Sequence, residues 1–177
     1  MHLFSDEQLI EIYLKNMNSQ GKKALDYLYI RYEKAMLNYF YFALQNDYDK
    51  AQDFVQDLFI KIIDNIQKFD TNQKFQSWIY RIASNMCKNE YKSNKVFLKY
   101  KKYVSFTSGQ YTTNNENENA LKMCINALEP EHRSLIVLRF KMKLSIKEIA
   151  EIYDCPEGTV KSRLFYATKQ LSKNYKR

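Results

Sequence analysis

Residues 144–164, LSIKEIAEIYDCPEGTVKSRL, hold two helices and the break between them. Ser145 is placed to cap the first helix, and Glu148 three positions on completes a capping box. Ile149, Ala150 and Tyr153 are expected to face inward. Asp154, Cys155 and Pro156 then break the helix. Glu157, Gly158 and Thr159 start a second one, whose apolar positions Val160, Leu164, Ala167 and Leu171 recur at i, i+4, i+7 and i+11. A short helix, a tight turn and a second amphipathic helix make a helix-turn-helix. Thr159, Lys161, Ser162, Arg163, Phe165 and Tyr166 lie outward or at its flanks. From the first half of a recognition helix such residues reach base edges and phosphates in a major groove. A plain helical hairpin is the alternative, and the small Ala150 and the Gly158-Thr159-Val160 start speak against it.

The rest of the chain agrees with an all-α fold. Only 3 of its 177 residues are glycine and 2 are proline, too few for the turns of a β-sandwich or barrel. The glycines of a phosphate-cradling loop are missing as well. Hydrophobic residues make up 45%, enough to fill a core. The net charge of +8 is uneven: residues 1–73 carry −3, residues 74–102 carry +7, residues 103–120 carry −2 and residues 121–177 carry +6. Clustered positive charge points to a polyanion, of which nucleic acid is the commonest. The stretch SFTSGQYTTNNENEN, residues 105–119, is polar and without clear period, and reads as a flexible linker. The expected architecture is two small helical domains, residues 1–95 and 121–177, joined by a linker over 96–120.

In the first domain, a helix is predicted over 50–66. Ala51, Phe54, Val55, Leu58, Phe59, Ile62, Ile63 and Ile66 form one apolar stripe on it. Asp53, Gln56, Asp57, Ile60, Lys61 and Asp64 take the other face. Ile60 is either an isolated exposed apolar residue or the centre of a contact with a partner. Further helices are predicted over 24–45 and over about 6–17, the latter capped by Ser5. A helix over about 75–94 buries Ile79, Ile82, Ala83 and Met86. On it Arg81, Asn85, Lys88, Lys92 and Lys95 make a basic stripe, with Phe75, Trp78 and Tyr80 at its start. Cations beside aromatics suit a single strand, whose phosphates they hold and whose bases they stack. A solvated face beside core aromatics reads equally well.

Cys87, Cys124 and Cys155 stand far apart, and His2 and His132 are the two histidines, so no zinc site and no disulfide framework is expected. No cofactor is expected either. A nucleic-acid-processing enzyme would need a carboxylate or Cys/His constellation, and none is visible. No apolar run approaches a membrane span, and the start MHLFSDEQL lacks a signal pattern, so a cytoplasmic protein is expected.

Residues 144–164 resemble the last conserved region of bacterial sigma factors, in the extracytoplasmic-function group of the sigma-70 family. The resemblance rests on Glu148-Ile149-Ala150 followed by Gly158 to Leu164, and on ALEPEHRSLIVLRF, residues 127–140. The family's usual Leu-Pro is here split by Glu129, a shift of one residue expected to leave function intact. AQDFVQDLFIKI, residues 51–62, resembles the helix that docks on the clamp coiled coil of RNA polymerase, with Gln52 replacing the usual acid. FQSWIYRIASNMCKNEYK, residues 75–92, resembles the segment that melts and reads the −10 element, with Asn89 and Lys92 where Asp and Arg are frequent.

The resemblance implies a transcription initiation subunit that is not itself an enzyme. Core polymerase would be bound by Asp53, Gln56, Asp57, Ile60 and Lys61. The −10 non-template strand would meet Lys74, Phe75, Trp78, Arg81, Asn85, Lys88 and Lys92. The −35 duplex would meet Thr159, Lys161, Ser162, Arg163, Phe165 and Tyr166, the last often Arg in relatives. An anti-sigma factor is a further implied partner. The rival reading is a helix-turn-helix regulator that binds duplex DNA without polymerase; it leaves the first domain unexplained.

Overall fold

The computed structural model describes residues 3–16, 19–100 and 116–175, with the side chains of 94–100, 116–119 and 174 set aside. Most of the predicted linker, residues 101–115, lies outside the described residues, as does Met17 at the predicted end of the first helix. Eight α-helices and no strand occur among the described residues: α1 (Asp6–Lys15), α2 (Ser19–Ala43), α3 (Tyr48–Asn65), α4 (Phe75–Tyr100), α5 (Glu116–Asn126), α6 (Pro130–Ile136), α7 (Ile146–Tyr153) and α8 (Glu157–Tyr175). Helix α4 therefore reaches six residues past the predicted end, and α5 starts inside the stretch read as linker. Lys22 and Lys23, which lie between the two predicted helices, are inside α2.

Caps set several of these boundaries. The Ser5 hydroxyl accepts from the Gln8 amide at 3.2 Å while the Ser5 amide donates to Gln8 Oε1 at 2.9 Å. Asp47 accepts from the Lys50 amide at 3.0 Å to open α3. Each such cap is worth about 1 kcal/mol. Helix α1 folds back on α2, where Asp6 accepts from both Arg31 and the Tyr32 hydroxyl. The return is tight at Gly21: a Cβ there would stand 1.8 Å from the Asn16 carbonyl oxygen, so only glycine fits.

The first domain, α1 to α4, buries Leu9, Ile10, Leu28, Met36, Phe40, Leu58, Ile62 and Ile79 completely. Each contributes roughly 1.5–3 kcal/mol against its exposed state. The second, α5 to α8, buries Leu128, Leu138, Ile149, Val160 and Ala167. The two are not separate bodies, because one apolar cluster runs through both. Between them Tyr39 Oη bonds Ser84 Oγ at 3.0 Å and Ser134 Oγ at 2.6 Å, and the Tyr153 hydroxyl donates to Ser134 Oγ at 3.0 Å.

Arg133 is the most enclosed charge among the described residues. Only 5% of it is exposed, and its hydrogen bonds go to carbonyls, with the Glu129 carboxylate near enough only to act through its field. Its guanidinium donates to the carbonyls of Ile125, Asn126 and Leu128 at the end of α5, and to Ala43 at the end of α2. These oxygens are of the kind a helix C-terminus leaves unsatisfied, and they carry its negative dipole. Burial pulls the Arg133 pKa down, but the fork remains the cation these carbonyls require. Arg133→Met is expected to lower stability by about 3 kcal/mol, because it takes a donor from four carbonyls, of which Ile125 alone keeps a backbone partner, the Leu128 amide. Urea unfolding of the two proteins measures the difference, and a loss below about 1 kcal/mol would show that water replaces the guanidinium.

Candidate nucleic-acid interface

The helix-turn-helix is built as its sequence requires. Ser145 Oγ accepts from the Glu148 amide at 3.2 Å, and Glu148 Oε2 accepts from the Ser145 amide at 2.8 Å. The Ser145 hydroxyl and amide hold the Glu148 carboxyl below its ordinary range. Helix α7 ends at Asp154, whose left-handed backbone (φ 49°) turns the chain. The Pro156 carbonyl then accepts from the Thr159 and Val160 amides to start α8. Val160, Leu164 and Ala167 are buried, which turns Lys161, Ser162, Arg163, Phe165 and Tyr166 outward. Thr159 is half-buried. Phe165 and Tyr166 are about 60% exposed and pack edge to face at 5.7 Å. Two adjacent exposed aromatics thus stand beside the exposed cations Lys161 and Arg163, a chemistry that suits base edges and phosphates.

Helix α4 carries the second basic face. Lys74, Asn85, Lys88 and Lys92 are exposed. Trp78 is half-buried and packs on Phe69 at 5.1 Å and Phe75 at 5.8 Å. Phe75 corrects the sequence reading: it is fully buried against Tyr32, Phe69 and Trp78, so it supports the wall and presents no ring to a strand. Arg81 is also engaged, its guanidinium donating to the carbonyls of Ile152 at 3.3 Å and Glu151 at 2.5 Å. A cleft of about 720 Å³ runs between α4 and α6–α7, with Arg81, Lys88, Lys92 and Arg163 in its lining. The two basic regions of the sequence thus face one cleft.

The outer face of α3 is the third surface. Asp53, Gln56, Asp57, Ile60 and Lys61 are all exposed, Ile60 by 56%. Ile63, read as part of the buried stripe, is 41% exposed and one turn from Ile60. It makes the exposed apolar patch a pair, which a stripe count cannot distinguish from core. Sequence reasoning also missed Glu7, whose Oε1 accepts from the Phe75 amide at 3.0 Å and so caps α4 from a helix 68 positions away. No local pattern signals such a cap. Burial alone would raise the Glu7 pKa; the backbone hydrogen bonds from Phe75 and its own amide, the Ser5 hydroxyl and nearby Lys74 together hold it below the ordinary value.

Elsewhere the chemistry is quiet. Among the described residues, no group of three or more His, Cys, Asp or Glu side chains stands together in a way that could hold a metal ion. Burial pushes the Cys87 thiol up to about 12, far from a reactive thiolate. No described helix is long and apolar enough to cross a membrane.

Comparison with known proteins bears on all three surfaces. Residues 28–96 match the family model of sigma-70 region 2, and residues 124–173 match that of sigma-70 region 4. The chain is 30% identical to the ECF RNA polymerase sigma-E factor of Haemophilus influenzae, covering 93% of this chain and 95% of that protein. It is 29% identical to the ECF RNA polymerase sigma factor SigW of Bacillus subtilis, over 94% and 97%. Among solved structures, it is similar to the sigma factor RpoE of Bartonella quintana, there in complex with the anti-sigma factor NepR. The TM-score is 0.69, with 24% identity over 87% of this chain and 98% of that one.

Two substitutions test the local architecture. Because Glu7 titrates lower folded than unfolded, its contribution is complete above the ordinary carboxylate range and is lost as pH falls through the folded value. Glu7→Gln is expected to cost about 0.5–1 kcal/mol at pH 7, with the gap to the wild type narrowing as pH falls below the ordinary carboxylate range, as measured by urea unfolding across that range. At Gly158 a Cβ meets nothing within 4 Å. Gly158→Ala is therefore expected to raise stability by up to about 1 kcal/mol, and to weaken duplex binding if the bare backbone admits a phosphate. Equal affinities in a salt-controlled duplex titration would remove that role.

Proposed function

We propose, for a chain that belongs to the extracytoplasmic-function group of the sigma-70 family of RNA polymerase sigma factors, a division of labour among its three surfaces. The chain binds core RNA polymerase and promoter DNA, and directs the enzyme to specific promoters. It works as an initiation subunit, with the chemistry of RNA synthesis belonging to the polymerase and none of it to this chain.

The observation that carries the division is the outer face of α3, where Ile60 and Ile63 stand exposed within a rim of Asp53, Gln56, Asp57 and Lys61. An apolar centre with a charged rim is the make-up of a protein-binding hot spot. This face docks on polymerase. The exposed cations of α4, with Trp78 beside them, hold the −10 non-template strand once the duplex opens. Extruding a base there costs a few kcal/mol, offset by stacking and phosphate contacts. Lys161, Ser162, Phe165 and Tyr166 read the −35 duplex, while Arg163 and Lys169 meet phosphates. An anti-sigma factor covers these surfaces in the silent state, and the protein acts in the cytoplasm; RpoE of Bartonella quintana, of similar fold, is itself bound by an anti-sigma factor.

Run-off transcription with core polymerase and genomic promoter fragments tests the whole reading; transcripts are expected only when this chain is added. Asp57→Arg is expected to weaken core binding at least 30-fold, corresponding to about 2 kcal/mol, with the melting curve unchanged. Undiminished affinity for core would move the docking face elsewhere.

A further inference from the structure

A concave basic surface lies between α6 and α8. It is an open groove of about 540 Å³, lined by His132, Arg163, Tyr166, Lys169, Gln170 and Lys173. No carboxylate lines it. Arg163, Lys169 and Lys173 are exposed, and among the described residues none of them has an ion-pair partner. The His132 ring is held in place by Gln170, with Nδ1 3.1 Å from Oε1. Cations gathered in a concavity without opposing carboxylates favour an anion of several charges. His132 and Arg163 also line the cleft of about 720 Å³ between α4 and α6–α7, so the two spaces meet at these residues. The cleft has a different character. Tyr91, Leu135, Ile152 and Tyr153 supply apolar wall, while Asn85 and Asp154 add exposed hydrogen-bonding groups. Its α4 cations are engaged already, Lys88 by Glu131 at 3.2 Å and Arg81 by the carbonyls of Glu151 and Ile152. Its volume and its apolar wall with a few polar groups are those of a small-molecule site.

We infer that the joined cleft and groove bind a nucleoside polyphosphate, with its base and sugar in the cleft and its phosphates in the groove on Arg163, Lys169, Lys173 and His132. There the phosphates meet charged donors and no competing carboxylate. The base lies beside Tyr91, whose hydroxyl donates to Glu129 Oε2 at 3.4 Å, and an aromatic ring accepts the face of any base. Asp154 accepts from the sugar hydroxyls. A bare phosphate chain would leave the apolar cleft unused, and a duplex cannot enter a space walled on two sides by helices. A ligand so placed touches α4, α6 and α8 together, and it stabilises their arrangement by mass action. It also occupies Arg163 and Lys169, the residues proposed to meet the phosphates of the −35 duplex, so nucleotide and promoter compete. The competition rests on the reading of α8 as the −35 helix; the nucleotide site does not.

Titration of the full chain at fixed salt with ATP, GTP, inorganic triphosphate and single-stranded oligothymidine tests this. Calorimetry is expected to give Kd values of about 10–100 µM for the two nucleotides. Inorganic triphosphate should bind at least about fivefold more weakly, the share that a stacked base supplies. Lys173→Glu is expected to weaken nucleotides and inorganic triphosphate alike, by about tenfold. Tyr91→Ala should weaken the nucleotides alone, by about fivefold, and Tyr91→Phe should keep them. Should Tyr91→Ala misfold, Tyr91→Leu removes the aromatic face with less loss of volume. Lys23→Glu makes the same charge change on α2 and should alter nothing. Absence of nucleotide binding, inorganic triphosphate as tight as ATP, or indifference to Lys173→Glu or to loss of the Tyr91 ring overturns the inference. So does oligothymidine that binds more tightly than the nucleotides with the same dependence on Tyr91 and Lys173. Saturating ATP is also expected to weaken binding of a promoter duplex by at least about fivefold, and less so in Tyr91→Ala. Duplex affinity untouched by ATP overturns the competition, and duplex affinity untouched by Arg163→Ala overturns the −35 reading beneath it.

Discussion

A buried guanidinium hydrogen-bonded to carbonyls alone organises the second half of this molecule. Arg133 is buried among the carbonyl oxygens that end α5 and the one that ends α2. Isolated burial of a charge would be prohibitive. Four carbonyls at or just past helix ends, with their dipoles pointing in, make the environment acceptable and engage four of the five N–H groups of the fork. The consequence is directional. The α5–α6 corner has one arrangement that satisfies Arg133, and that arrangement places α6 against α2. Lysine, with a single ammonium, could not reach both helices at once.

Around that point the shared apolar cluster is interrupted by a buried polar group of four hydroxyls. Tyr39, Ser84, Ser134 and Tyr153 share hydrogen bonds between the domains, and burial raises the Tyr39 pKa well above its ordinary value. A hydroxyl cluster of this kind costs little to separate if water enters, because each group finds a new partner at once. The cores within each domain, around Leu28 and Met36 or Leu138 and Val160, are apolar throughout, so the buried hydroxyls mark the boundary between them.

Much of the candidate interface was legible in the sequence. The Ser145–Glu148 box, the break at Asp154 and the outward set from Lys161 to Tyr166 follow from helical period and cap chemistry, which act within a few residues. Ile60 was visible as an apolar residue among polar ones. Its neighbour Ile63 was not, because a stripe that includes both i+11 and i+12 is wider than the face α3 buries. Phe75 was misread for a related reason: an aromatic at a helix start beside cations reads as a contact, and only the convergence of Tyr32, Phe69 and Trp78 on it makes it core.

By itself, then, the sequence determined most of the helices, the caps at Ser5 and Ser145, the helix-turn-helix and the distribution of charge into two basic regions. The helices and caps depend on spacings of a few residues, and the charge distribution on composition alone. The tertiary structure alone decided which polar groups meet: Glu7 with the Phe75 amide, Ser77 with Glu151, Arg133 with Ala43. Those partners are 68 to 90 positions apart, and a carboxylate or a carbonyl carries no local mark of the donor it will face. Whether a basic helix is open to a strand or covered by its own chain is settled by packing, since the same residues serve either state.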